Sequence, residues 1–227
     1  MLKKWFVNNQ EVLKSGHFWS SWISSLLLLA ATLGVNYYSG QYATERASSP
    51  VTDIILSNVR VYDVDLIFVY GAIAFWVVVT ILLLLDLRLG PFVVKSISLF
   101  LLIRSFFTSL THIAPFPERL TTAENTFILN KVTFGGDLFF SGHTGLPFLL
   151  ALIFWDNKHL RYGCLGVSVM MAASALLGHY HYSIDVFAAY FITYAIALIA
   201  WRAFPSDPTL ACYLPFVAEI FAIYLPG

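Results

Sequence analysis

"LIFVYGAIAFWVVVTILLLL", residues 66–85, runs for twenty residues without a charge between Asp65 and Asp86. Crossing the hydrocarbon core of a bilayer as a helix takes about 20 such residues, so the stretch reads as a membrane span. Runs of the same kind lie on both sides. Residues 18–35 precede it; residues 92–114 follow, broken only by Arg104; then come 138–155 between Asp137 and Asp156, 162–180, and 183–201. That makes six spans. The remainder, 202–227, reads as a short C-terminal tail, because its apolar part holds Pro215 and Glu219 and is short for a crossing.

Composition agrees. Of the 227 residues, 59% are hydrophobic and 11% charged, where a soluble domain carries about 25% charged residues. Thirteen basic residues balance thirteen acidic ones, which leaves no global field to attract nucleic acid. Cys164 and Cys212 have neither the spacing of a zinc site nor that of a disulfide framework. Residues 1–16 form a polar, weakly basic leader, and the apolar run after it is long enough to span, so the first segment is expected to be retained.

Placing the N-terminus in the cytoplasm puts Lys3, Lys4, Lys14, Arg88, Lys95, Lys158, Arg161 and Arg202 inside, against Arg46, Arg60, Arg119 and Lys131 outside. That bias favours both termini inside, and it brings Trp19, Trp22, Trp155 and Trp201 to the cytoplasmic interface. The long connections, 36–65 and 115–137, then face outward. The expected fold is all-α: one polytopic membrane bundle of six transmembrane helices over residues 1–227, both termini cytoplasmic.

In this topology the unusual polar residues gather on the outer side. Arg104 and His112 belong to the third span or its end, Asp137, Ser141 and His143 open the fourth, and His179, His181 and Asp185 sit between the fifth and sixth. Ionisable groups at membrane depth are costly and mark a site or an internal pair. Arg104, Thr108, Thr111 and Pro115 share one helical face. Arg104 either pairs with an acid or with helix carbonyls, or uses its guanidinium to bind phosphate or carboxylate.

His181 and Asp185 are four apart and stack on one helical face. A carboxylate that fixes one imidazole nitrogen makes the other a better nucleophile. Ser141, Gly142 and His143 offer a hydroxyl, free backbone N–H groups and close approach at a helix start, which suits an anion. Two histidines, an acid, an arginine and an anion-binding turn together describe phosphoester chemistry. Plainer readings stand for the rest: His112 and His179 as interfacial histidines, Tyr180 and Tyr182 as belt aromatics, Asp137 as a helix cap. The "FSGH" stretch lacks the strand–turn–helix elbow of serine hydrolases.

The stretches "GGDLFFSGHT", 135–144, and "HYSIDVFAAYFIT", 181–193, resemble the two signature motifs of the sphingomyelin synthase family, a branch of the type-2 phosphatidic acid phosphatase superfamily. Gly135 replaces the family's cysteine and Ser183 its threonine. "PVTD", 50–53, and "RSFFTSLTHIAPFP", 104–117, are similar more loosely to two further motifs.

The resemblance implies a membrane lipid head-group phosphotransferase that moves a phosphocholine- or phosphoethanolamine-type group from a glycerophospholipid to a lipid hydroxyl such as ceramide. His143, His181 and Asp185 would be catalytic, with a phosphohistidine on His181; Asp137, Ser141 and Gly142 would support the phosphate, beside Arg104. No cofactor or metal is implied, and the expected partners are the phospholipid and lipid-alcohol substrates, with the oligomeric state left open. The site would face the non-cytoplasmic side of a plasma, inner or Golgi-type membrane.

The phosphatase branch has an arginine six residues before the nucleophilic histidine; this chain has Ala175. The chain is also shorter than typical synthases, lacks their N-terminal soluble domain and has no glycosylation sequon in its external loops. It fits a compact bacterial relative as well as a eukaryotic enzyme. The rival reading is a lipid phosphatase or phospholipase C-like hydrolase with water as acceptor, and a reading without catalysis is a carrier or assembly factor that binds lipid head groups.

Overall fold

The computed structural model describes Asn9, residues 13–118 and residues 138–205, and among these residues every regular element is helical. The helices are α1 (Gly16–Glu45), α2 (Gly71–Leu85, continued from a π-helical turn at Leu66–Tyr70), α3 (Gly90–Leu110), α4 (Gly142–Ile153), α5 (Lys158–Leu177) and α6 (Ser183–Ala203).

Five of them are long and apolar enough to cross a membrane. Leu66–Leu85 has the bounds its flanking aspartates set, and α6 starts where expected. The fourth segment differs. Of 138–155 only Gly142–Ile153 is helical, and 12 residues rise only about 18 Å, well short of the hydrocarbon thickness of about 30 Å. The short helix is explained by its position: α4 touches α3, α5 and α6, and none of its residues is exposed. Leu149, Leu150 and Ala151 are wholly buried at the centre of the main apolar cluster. Its neighbours α3, α5 and α6 are long and apolar enough to span, and α4 packs among them.

Two other boundaries move. α1 continues ten residues past 35, because nothing in 36–45 stops a helix before the chain turns at Arg46. α3 ends at Leu110, with Thr111 already extended, ahead of Pro115 and Pro117, which disfavour helix in the residues before them. The shared face of Arg104 and Thr108 is therefore real, but Thr111 and Pro115 lie beyond the helix. The C-terminal segment 206–227 lies outside the described residues.

α1 packs on α3 through small and hydroxyl residues, the kind that let membrane helices approach closely. Ser39 donates to the Ser105 carbonyl at 2.7 Å, and Lys95 Nζ donates to Ser21 Oγ at 3.0 Å. At the start of α3, Gly90 forms a notch for the Trp22 ring, whose Nε1 donates to the Leu87 carbonyl at 3.1 Å. A Cβ at Gly90 would fall 1.8 Å from that ring. Gly90→Ala is expected to expel Trp22 and destabilise the protein by about 1–3 kcal/mol, read as a lowered thermal midpoint in detergent.

Candidate active site

The start of α4 is built by a short non-helical approach, Leu138–Ser141. Ser141 caps the helix, its Oγ accepting from Thr144 N at 3.4 Å and from Thr144 Oγ1 at 3.3 Å. Phe140, wholly buried, has φ of 20°, a conformation unusual for a residue with a side chain. It is held there in part by Arg104, whose Nε donates to the Phe140 carbonyl at 3.0 Å. Gly142 lies beside the arginine: a Cβ at that position would make an ordinary contact with Nε at 3.6 Å. Arg104 is itself buried, so α3 delivers a permanent cation to the first turn of α4. Further along, Pro147 has no N–H to offer the His143 carbonyl one turn back.

The second half of the site is the turn between α5 and α6. The N–H groups of Tyr180 and His181 both donate to the buried Ala175 carbonyl, at 2.9 and 3.4 Å. The chain reverses at Gly178, where a Cβ would fall 2.4 Å from the Tyr180 ring, and at His179, with φ of 55°. α6 then starts with Asp185 closing its own cap: Tyr182 N donates to Asp185 Oδ2 at 3.0 Å.

These halves are joined directly. His181 Nδ1 lies 2.9 Å from the Leu138 carbonyl, and Ser141 N donates to the Asp185 carbonyl at 3.1 Å. A carbonyl only accepts, so Nδ1 carries the proton and, in the neutral ring, Nε2 carries the lone pair. Asp185 Oδ2 stands 3.8 Å from Nδ1, outside hydrogen-bond range but close enough to stabilise an imidazolium. The partner that fixes His181 is thus the Leu138 backbone, with the aspartate behind it.

His143 is half-buried. Its ring lies on Phe68 with centroids 4.2 Å apart, and Phe68 in turn stacks on Tyr180 at 4.4 Å. Tyr180 donates its hydroxyl to Asp65. Tyr180 and Tyr182 are therefore buried parts of the site's frame, not belt aromatics. His179 is buried too, edge-on to Phe116, instead of interfacial. His112 lies against Tyr42. Asp137 lies outside the described residues, as do Gly135 and Gly136. Among the described residues no group of three His, Cys, Asp or Glu is gathered to hold a metal.

The connection from α1 to α2 supplies residues that spacing alone did not place. Val51 N donates to the Tyr182 hydroxyl at 3.3 Å, that hydroxyl donates to the Ala114 carbonyl at 2.8 Å, and Tyr62 N donates to the Leu177 carbonyl at 2.9 Å. Buried Asp53 accepts from Ile55 N at 2.8 Å and Leu56 N at 3.1 Å through Oδ1, and from Ser183 N at 2.7 Å through Oδ2. The only sequence signal for it is the acid that ends "PVTD".

Burial pushes the Asp53 carboxyl up, but the N–H groups of Ser183, Leu56 and Ile55 outweigh it and hold the group below its ordinary 3.8. The same desolvation raises the Tyr182 phenol. A carboxylate with a depressed folded pKa stabilises fully above its unfolded value, and the contribution is lost as pH falls through the folded one. The thermal midpoint is therefore expected to drop as pH falls below about 4, and Asp53→Asn should flatten that acid limb.

Residues 135–202, less than a third of the chain, match the family model described as PAP2 superfamily C-terminal. The matched region begins three residues before the α4 approach and ends in the last turn of α6, so it contains both joined motif segments. No curated protein and no solved structure matches the chain. The family match supports the type-2 phosphatidic acid phosphatase superfamily, whose members are phosphatases and phosphotransferases, and the long apolar helices fit a multi-pass membrane protein.

Proposed function

We propose that this protein is a membrane lipid head-group phosphotransferase of the sphingomyelin synthase type, working through a phosphohistidine on the non-cytoplasmic face. The observation that carries the reading is the pair of hydrogen bonds, Leu138 O to His181 Nδ1 and Ser141 N to Asp185 O, that join the two motif segments into one site.

The chemistry follows from the tautomer that the Leu138 carbonyl gives His181. His181 Nε2 attacks the phosphorus of a glycerophospholipid phosphodiester while Nδ1 keeps its proton on the Leu138 carbonyl. The bond from phosphorus to the diacylglycerol oxygen breaks, and protonated His143 gives its proton to that oxygen. As Nε2 forms its bond to phosphorus, the imidazole becomes cationic, and Asp185 at 3.8 Å offsets that charge. Arg104 and the N–H groups at the start of α4 take the phosphoryl oxygens; Gly142 lets them approach beside Ser141, and Asp137 has the supporting role that the motif resemblance implies.

In the second half, a lipid hydroxyl attacks phosphorus, neutral His143 takes its proton, and the N–P bond returns its electron pair to Nε2. Ceramide or another lipid alcohol serves as acceptor. The acceptor distinguishes this reading from a lipid phosphatase or phospholipase C-like hydrolase, in which water attacks the same intermediate. Ala175 favours transfer. It is wholly buried where the phosphatases carry an arginine, and its carbonyl already holds the turn at His181.

Reconstitution with head-group-labelled glycerophospholipid, with and without ceramide or diacylglycerol, tests the reading. Label in a new lipid is the expected result, and label released only as free head group or phosphate assigns the hydrolase instead. His181→Ala is expected to abolish both, and His143→Ala to slow them by about 10²–10⁴-fold, while each variant still inserts. Turnover retained in His181→Ala overturns the nucleophile; a purely binding role predicts no labelled product from the wild type and head-group binding that survives in His181→Ala.

A further inference from the structure

We infer that Asp53 is a positioning residue that holds the catalytic turn from outside the matched region, by accepting from the first N–H of α6 while Asp185 closes the cap from within the helix. The inference rests on the phosphotransfer reading, which gives the turn its role. α6 begins at Ser183, two residues after His181, and its cap position is Tyr182, whose side chain makes no capping hydrogen bond to the helix. The first N–H groups of a helix must find acceptors elsewhere. Tyr182 N finds Asp185, and Ser183 N finds Asp53, 130 residues earlier, at 2.7 Å.

The two oxygens of Asp53 divide the work. Oδ1 folds the local turn through Ile55 and Leu56 N–H, while Oδ2 reaches across to Ser183. Val51 on the Tyr182 hydroxyl fastens the same strap to the same turn. Displacement of Ser183 moves His181 through two peptide units, away from the Leu138 carbonyl that fixes its tautomer. Misplacement of a reacting group by about 1 Å costs about 10²-fold in rate.

Two substitutions remove the cross-chain bond from opposite sides. Asp53→Asn retains an Oδ1 acceptor for Ile55 and Leu56 but turns an amide N–H₂ toward the Ser183 N–H. Ser183→Pro removes the donor at the first helical position, where proline fits, and Tyr182 already has the extended backbone, φ −67° and ψ 156°, that a following proline favours. Both are expected to lower kcat by at least about tenfold, with KM within about twofold, and the double variant to lose no more than the worse single one.

Asn157→Ala, which removes the cap at the start of α5, provides a stability-matched control with kcat unchanged. In nanodiscs with ¹⁵N-histidine, the His181 ring signals, assigned by their loss in His181→Ala, are expected to shift in both variants. A kcat within about twofold of wild type in the folded variants, unmoved His181 signals, or an equal kcat loss in Asn157→Ala overturns the inference. If the wild-type protein turns over no lipid, the phosphotransfer reading fails, and the ring signals alone still decide whether Asp53 positions His181.

Discussion

Backbone polar groups within a membrane protein must be satisfied by the protein, because hydrocarbon offers no partner. Two helix starts, those of α4 and α6, fall in one layer here after non-helical turns, and each brings orphan N–H groups and stray carbonyls. They satisfy one another. Ser141 N takes the Asp185 carbonyl, the Leu138 carbonyl takes His181 Nδ1, and Arg104 takes the Phe140 carbonyl. The rest of the site depends on this mutual satisfaction, since the same bonds set the tautomer of one histidine and fix the turn that presents the other.

The arrangement also explains where glycine is required. At Gly145 a Cβ would fall 2.7 Å from the Phe100 ring and 2.8 Å from Thr193 Oγ1, so α3 and α6 close on α4 from two sides. Ser168 on α5 completes the enclosure by donating to the Thr144 carbonyl at 2.8 Å. Each neighbour of α4 thus touches its first turn or the next.

Much of this was legible in the sequence. The long uncharged run between Asp65 and Asp86 placed α2 closely, because the free-energy cost of a charge in hydrocarbon makes such a boundary sharp, and the apolar run after Asp185 ending before Arg202 placed α6. The polar residues of 138–144 and 178–185 also converge as their common side suggested, with Asp137 outside the described residues. α4 is shorter than its apolar run because the first residues of that run, 138–141, form the non-helical approach to the site, and apolar content alone does not show where a helix starts. The direct partner of His181 was hidden for another reason: it is a backbone carbonyl, and every residue has one. Asp53 was signalled only by the loose likeness of "PVTD", and its role was hidden because a cap supplied across 130 residues leaves no local spacing to read.

The short, enclosed α4 has a consequence for how the protein meets membranes of different thickness. Long helices facing lipid adjust to a thicker or thinner bilayer by tilting or by deforming the lipid around them. α4 has no exposed residue and packs against α3, α5 and α6, so its depth is referenced chiefly to its helical neighbours. The layer holding His143 and Arg104 is thereby carried at a fixed height within the bundle, and the bundle, not the bilayer, is the ruler for the chemistry.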